Sequence, residues 1–381
     1  MKDLSDSRIL IVDDVKTNVD ILVEALKDDY KLSVALDGAA ALRSIGRTPP
    51  DLVLLDIVMP ELDGYEVCRR LREQDATREL PVMFLSALED LTNKTKGFEV
   101  GGNDYLTKPF EILEVKARVR SLLKAKAYAD AIREAVARDL RIAREIQMGI
   151  LPADLAMATR GTGLEVHAVI EPAREVGGDL YEVLRASDDR VVVALGDVSG
   201  KGIPAALFMA VTVTVLRTLA RQFADPDEIL RRLNDELAEQ NPRGMFVTLQ
   251  CLVFDLGLGR VTCAGAGHHQ LAILSEGRPP RLACASTGLP AGLMPSNPIE
   301  RETLTLEPGD MFVLFSDGVS EAMNRTDDFY GEERLLATLA AVSGRTPADT
   351  VNAVLADVRT FADGAKQSDD ITVLAARYSR A

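Results

Sequence analysis

From Glu111 to Met148 the sequence contains neither proline nor glycine, and the first interruptions are Gly149 and Pro152. The stretch Glu111–Pro152 therefore reads as one helix, which at 1.5 Å per residue reaches roughly 55 Å. No ordinary domain needs a strut of that length for its own core, so the chain is constrained to two bodies with this helix between them. Leu122, Ala129, Val136, Ala143 and Ile150 fall on one heptad position, and Ala125, Ile132, Asp139 and Ile146 on its partner. The seam is apolar except at Asp139, a pattern suited to pairing with a second copy of the helix or to packing back on the chain's own domains. The small area of its alanines keeps such a homodimer weak.

The 381 residues, 47% of them hydrophobic, suffice for two ordinary cores. A balance of 59 acidic against 44 basic residues leaves a net charge of −15, which argues against nucleic acid and anionic membrane surfaces as partners. Clustered carboxylates would instead suit hard divalent cations. Cys68, Cys251, Cys263 and Cys284 form no C-x-x-C pair, so they read as separate buried residues in a reducing compartment, with no zinc site. The start runs directly into a strand at Arg8–Val12 without the regions of a signal peptide, and the longest uncharged apolar run, Gly202–Leu216, is short for a bilayer. The expectation is a cytoplasmic protein.

Before the long helix, apolar runs at Ile9–Val12, Leu52–Leu55 and Val82–Leu85 alternate with amphipathic stretches at Val19–Leu26, Ala39–Ile45, Tyr65–Leu71 and Leu91–Val100. This predicts a parallel sheet covered by helices on both faces. Ligands gather beyond the carboxyl ends of such strands, where Asp13, Asp14, Asp56, Ser86 and Lys108 fall. Three crowded carboxylates repel one another unless a cation such as Mg²⁺ offsets them, and a carboxylate held there can accept a phosphoryl group.

Asp13-Asp14, the run LLDIVMPELDGYE around Asp56, Ser86-Ala87 and YLTKPF from Tyr105 to Phe110 resemble a response-regulator receiver domain, a flavodoxin-like doubly wound fold. The resemblance implies that Asp56 takes a phosphoryl group from a sensor histidine kinase or phosphotransfer protein. It implies also that Asp13 and Asp14 hold Mg²⁺ with Asp56, that Lys108 and Ser86 contact the phosphoryl oxygens, and that Tyr105 turns inward on activation.

After the long helix, strands are expected around Glu165–Ile170, Val191–Gly196, Phe246–Asp255, Arg260–Ala264, Leu271–Leu274, Met311–Ser316 and Ile371–Arg377. Helices are expected at Ile203–Ala220, Asp227–Glu239, Glu332–Val342 and Ala348–Phe361. Val211–Val215, VTVTV, favours strand by propensity, but the unpunctuated run around it predicts a helix buried on both sides. Four short runs carry carboxylates at strand ends or turns: VGGD ending at Asp179, GDVSGKG around Asp197, SDGVSE around Asp317, and SDDIT around Asp369 and Asp370. Aspartates converging from separate strands with a backbone carbonyl supply the oxygen shell of Mg²⁺ or Mn²⁺. Two such ions support in-line displacement at phosphorus without a Cys or Ser nucleophile.

These runs, with MFVT from Met245, AGAGH ending at His268, EPGDMFVLFSDGVSEA and the entry segment AREIQMGILP, resemble the PPM family of metal-dependent serine/threonine protein phosphatases. The nearest branch is the bacterial one controlling sporulation and the general stress response. The resemblance implies an α/β layered fold with mostly antiparallel sheets and two divalent ions. Asp197 would bridge both ions, the Val198 carbonyl and Asp179 would serve one, and Asp317 with Asp369 the other. Asp370 is a further ligand candidate, and Arg174 and Lys201 are candidates for phosphate contact. Leu180, Tyr181 and Glu182 follow the GGD run where this branch usually has an aromatic residue, Tyr and Asp, and Gln270 stands where it usually has Pro. His268 and His269 read as turn residues with structural hydrogen bonds.

The implied organisation is a receiver at 1–122, a helical linker at 123–152 and a phosphatase domain at 153–381. The implied substrate is a phosphoserine or phosphothreonine protein, in this branch a phosphorylated anti-sigma-factor antagonist. Rival readings are a phosphatase-like scaffold without catalysis and, from Gly177-Gly178-Asp179, a receiver-linked diguanylate cyclase. The cyclase reading leaves Asp197, Asp317 and Asp369 without a role.

Overall fold

The structure, a computed structural model, describes residues 3–87, 97–239, 241 and 243–379. Most of the helix expected over Leu91–Val100 lies outside the described residues. The chain forms two compact units that divide between Ala137 and Arg138.

In the first unit, β1 (Arg8–Val12), β2 (Lys31–Ala35), β3 (Leu52–Asp56), β4 (Val82–Ala87) and β5 (Asp104–Lys108) form a parallel sheet in the order β2-β1-β3-β4-β5. The apolar runs predicted β1, β3 and β4; β2 and β5 carry polar residues along much of their length and gave no such run. Side-chain alternation sends Leu10, Val12, Val53 and Leu55 to a core shared with the helices Gly38–Arg47 and Gly64–Glu73. Ile9, Ile11, Leu52 and Leu54 face the other core, built with Lys16–Leu26 and the start of the long helix.

The long helix runs from Ile112 to Ile150, 39 residues. Its first turns bury Val115, Val119 and Leu123 in the receiver core, one position away from the expected seam at Leu122. Further along, the seam residues Ile132, Val136 and Ile146 are 63%, 52% and 64% exposed.

The second unit contains two five-stranded sheets. One has the order β13-β10-β9-β8-β7, from β7 (Leu180–Arg185), β8 (Arg190–Val198), β9 (Val247–Asp255), β10 (Arg260–Ala266) and β13 (Arg301–Thr305). The other has the order β12-β11-β14-β15-β6, from β6 (Leu164–Glu171), β11 (Leu271–Leu274), β12 (Arg281–Ala283), β14 (Met311–Phe315) and β15 (Ile371–Tyr378). Every pairing within both sheets is antiparallel. Phe312, Leu314, Leu374 and Ala376 point between the sheets, where Phe254 meets Phe312 edge-on. Met311, Val313, Phe315, Val373 and Ala375 point outward onto the helices Gly331–Ala341 and Pro347–Ala362. The helices Ile203–Gln222 and Pro226–Glu239 join the core of the first sheet, completing a four-layered α/β/β/α architecture.

VTVTV is helical, as expected, but the helix is not buried on both sides: Ile203, Leu207 and Val211 are exposed while Met209, Thr212, Val213 and Leu216 are buried. Thr212, Thr214 and Thr218 each donate a hydroxyl hydrogen bond to the carbonyl four residues back, which accommodates them in helical geometry. This helix extends past the uncharged run to Gln222 and is long and apolar enough to cross a membrane by length and composition, yet one face is packed in the core.

The cysteine reading needs correction. Cys263 on β10 and Cys284, next to β12 of the opposite sheet, are joined by a disulfide with Cα atoms 6.1 Å apart. Stacking two sheets brings together residues that their separation of 21 in sequence did not suggest. Cys68 and Cys251 are free and buried.

Candidate functional site

At the carboxyl end of the receiver sheet, β1 delivers Asp13 and β3 delivers Asp56, both buried, while Asp14 is exposed. Oxygens of the three carboxylates lie within 4.8 Å of one another, so one cation can reach all three. Lys108, at the end of β5, places its Nζ 2.8 Å from Asp13 Oδ2 and 2.8 Å from Asp56 Oδ2. Burial raises the Asp56 carboxyl above its ordinary range, and the Lys108 hydrogen bond only partly offsets this. Ser86 Oγ, from β4, is buried without a hydrogen-bond partner among the described residues, so its hydroxyl remains able to donate to an incoming group. Tyr105 is buried between Phe84 and Phe98, with ring centroids 5.5 Å and 5.1 Å away, and burial pushes its phenol up to about 12. Five of the six receiver residues named from the sequence thus gather at the C-terminal end of one sheet, while Tyr105 lies near the start of β5, paired with Phe84 inside the sheet.

In the second unit the four aspartates come from both sheets. Asp179 precedes β7 and Asp197 lies near the end of β8, in the first sheet; Asp317 follows β14 and Asp369 precedes β15, in the second. The turn after β8 is pinned by two hydrogen bonds between Ser199 and Phe246: the Ser199 N–H donates to the Phe246 carbonyl at 2.8 Å, and the Ser199 hydroxyl oxygen accepts from the Phe246 N–H at 2.9 Å. Gly200 and Gly202 then adopt φ of +86° and +78° to turn the chain into the helix Ile203–Gln222.

The electrostatics mark this site as one that needs positive charge. Burial and the neighbouring Asp197 raise the Asp179 carboxyl well above the carboxylate range. Burial, then the charges of Asp317 and Asp369, push Asp197 up to about 7. Asp317 is raised by burial and by Asp369, and its Oδ1 is buried with no hydrogen-bond partner among the described residues. Gly178 supplies a close approach: a Cβ there would lie 2.7 Å from the Val198 carbonyl oxygen and 3.1 Å from Asp197 Oδ1. A cradle of oxygens with no room for a side chain, one orphaned carboxylate oxygen and mutual repulsion fit hard divalent cations.

The candidates of lower rank separate clearly. Asp370 accepts from the backbone N–H groups of Ala173 at 2.8 Å and Gly178 at 2.7 Å, so its oxygens hold the loop that carries Asp179. Lys201 Nζ sits 2.8 Å from Asp369 Oδ2 and donates to the Ser368 carbonyl. Arg174 is exposed. His268 is buried, with Nδ1 2.8 Å from Thr248 Oγ1 and Nε2 3.1 Å from the Phe315 carbonyl, and burial lowers it to about 3.

Three supporting contacts escaped the motif reading. The Thr372 hydroxyl donates to Asp179 across the two sheets, although Thr372 stood inside the SDDIT run. Glu182, the departure after the GGD run, is buried and paired with Arg217, which also donates to the Ile150 carbonyl at the end of the long helix. Gln147, 6% exposed, donates to the Gly177 carbonyl at 2.7 Å and accepts from the Gly177 N–H at 3.2 Å. Its signal in the sequence was a lone amide between Ile146 and Met148, too common to single out.

Comparison with known proteins agrees with both halves. Residues 9–120 match the family described as Response regulator receiver domain, and residues 187–379, half of the chain, match Stage II sporulation protein E (SpoIIE). Protein IcfG of Synechocystis sp. is 30% identical over 291 residues, which are 68% of this chain and 44% of that protein. Response regulator PleD of Caulobacter vibrioides is 35% identical over 198 residues, 50% of this chain and 42% of that protein. The chain thus spans less than half the length of these curated relatives. The SiaA-PP2C domain of Pseudomonas aeruginosa superimposes with a TM-score of 0.59 at 22% identity, covering 65% of this chain and 99% of that domain, a likeness of fold. Carrying a receiver domain ahead of a PP2C-like sandwich, the chain belongs to the Stage II sporulation protein E (SpoIIE) family.

Proposed function

We propose that the chain is a two-component output protein in which phosphorylation of Asp56 controls a metal-dependent phosphoserine/phosphothreonine protein phosphatase. The observation that carries the catalytic half is the oxygen cradle at Gly178, where Asp197 and the Val198 carbonyl converge while Asp317 keeps an unpartnered oxygen. In this reading two Mn²⁺ or Mg²⁺ ions would be held by Asp197, shared between them, with Asp179 and the Val198 carbonyl for one and Asp317 and Asp369 for the other. Such ions, when bound, polarise a phosphoryl oxygen and acidify water. Thr372 orients Asp179, and Asp370 fixes the backbone beside it. Lys201 neutralises Asp369 until a cation takes that role.

In the receiver, Asp13 and Asp14 would hold Mg²⁺ with Asp56, Lys108 would offset the charge of a phosphoryl group on Asp56, and the unpartnered Ser86 hydroxyl would donate to it. The phosphodonor is a sensor histidine kinase or phosphotransfer protein. The domains are assigned as 1–122, 123–152 and 153–381, with the exposed seam of the linker as the site of homodimer pairing. Family resemblance makes a phosphorylated anti-sigma-factor antagonist the substrate.

Hydrolysis of a phosphoserine peptide with Mn²⁺, in the wild type and in Asp197→Ala, tests the reading. Turnover that disappears in the variant and in excess chelator supports it. Undiminished turnover in either case refutes the two-metal mechanism, and a wild type with no turnover at any metal concentration leaves the scaffold reading.

A further inference from the structure

One open cleft in the second unit runs against the acidic character of the chain. It encloses about 670 Å³ and presents Arg144 from the long helix, Arg174 from the loop after β6 and Lys366 from the segment after the helix Pro347–Ala362. Glu175 is its one acidic lining residue, in a protein of net charge −15. The cations come from three remote parts of the sequence, so their meeting is tertiary and not a local charge run. All three are exposed, and among the described residues none has an ion-pair partner. Cations close by are committed: Arg359 pairs with Glu171, and Lys201 with Asp369.

The cleft is joined to the aspartate site by short bonds. Gln367, on its wall, donates through Nε2 to the carbonyls of Glu171 at 2.8 Å and Asp369 at 2.7 Å. The carbonyl of Ser368, also on the wall, accepts from Lys201 Nζ at 2.7 Å. A polypeptide whose phosphorylated residue reached Asp369 would therefore lay its neighbouring residues along this wall, at about 3.3 Å per extended residue.

We infer that the cleft is a docking subsite for an acidic polypeptide segment flanking the phosphorylated residue of the substrate protein. The inference rests on the phosphatase reading and adds the charge of the substrate to it. Arg144, Arg174 and Lys366 attract carboxylates from solvent, and the negative surface elsewhere on the chain disfavours other approaches. Single-stranded nucleic acid is the poorer occupant, because the cleft has no aromatic side chain on which a base could stack. Arg144 lies one helical turn before Gln147, so occupancy of the cleft also touches the end of the helix that holds Gly177.

Two phosphoserine peptides of equal length, one with Asp and Glu flanks and one with Ser and Gly flanks, are compared with the full chain in Mn²⁺. The ratio of their kcat/KM values is read for the wild type, for Arg144→Glu with Lys366→Glu, and for the milder pair Arg144→Gln with Lys366→Gln. Solvent-screened contacts worth a few-fold each give an expected preference of roughly tenfold for the acidic peptide, shrinking with added salt. It should fall toward unity in the Gln pair and invert in the Glu pair. An absent preference in the wild type, or one unchanged by both pairs, overturns the inference. Fluorescence anisotropy of an unphosphorylated acidic peptide decides the cleft separately: binding weakened by both pairs supports it even if neither phosphopeptide is hydrolysed, which would refute only the phosphatase reading. No binding, or equal affinity for a DNA oligonucleotide of the same charge, overturns the peptide assignment.

Discussion

Replacing Gln147 tests whether the end of the long helix holds the site together. Its amide is buried and makes two hydrogen bonds to one peptide unit, Gly177, two residues before Asp179. Gln147→Ala leaves the buried N–H and carbonyl of Gly177 without these partners. An unsatisfied buried group costs about 1–3 kcal/mol, so the expected loss is about 2–4 kcal/mol after partial relaxation. At ~2–4 °C per kcal/mol for a unit of this size, the unfolding midpoint of the phosphatase unit should drop by roughly 5–15 °C. The catalytic consequence is separable. Loosening a contact that orients a metal-binding loop typically lowers metal affinity about 10–100-fold, so half-maximal phosphopeptide hydrolysis should need correspondingly more Mn²⁺. Gln147→Met keeps most of the volume without the hydrogen bonds and should share the altered metal dependence while losing less stability. Thermal unfolding followed by circular dichroism and Mn²⁺ titrations of turnover read both effects. A Met variant with the metal dependence of the wild type would refute the reasoning, because hydrogen bonding to Gly177 would then be irrelevant to Asp179.

Asp56→Asn keeps the shape of the receiver site but removes the carboxylate nucleophile, so mass spectrometry after treatment with a small phosphodonor should find no added phosphoryl group; label retained in the variant would assign the acceptor elsewhere. Asp139→Leu completes the apolar seam of the linker and should raise the mass seen by light scattering while making turnover less dependent on Asp56 phosphorylation; a monomeric variant with unchanged regulation would limit the seam to intrachain packing. His268 stays neutral in the folded protein down to about 3, whereas the unfolded chain takes up its proton near the ordinary 6.5. Its contribution to stability is therefore present above pH 6.5 and lost as pH falls toward 3, so the stability gap between wild type and His268→Gln should narrow by about 2 kcal/mol from pH 7 to pH 5 in urea unfolding. An unchanged gap would mean that His268 can be protonated in place.

Local chemistry carried much of this protein into its sequence. Buried parallel strands need continuous apolar runs, so β1, β3 and β4 were legible, and Asp13, Asp56, Asp179, Asp197, Asp317 and Asp369 stood out as motifs that the fold places at or beside strand ends. The helix over VTVTV was recoverable because a long run without turn residues outweighs β propensity. Strands β2, β5, β7, β12 and β13 were not read as strands, since they are short, polar or at sheet edges, where neither alternation nor continuous apolarity is enforced.

Other features exist only once distant segments meet. The disulfide between Cys263 and Cys284 needs the two sheets to stack, and the bond from Thr372 to Asp179 needs β15 to face the loop before β7. Asp369 and Asp370 are adjacent and chemically identical, yet one pairs with Lys201 near solvent while the other is buried under the N–H groups of Ala173 and Gly178. Sequence identifies which groups can bond, because side-chain chemistry is local. Which of them do is set by burial and by the partners that packing supplies, and these depend on contacts across nearly two hundred residues of chain.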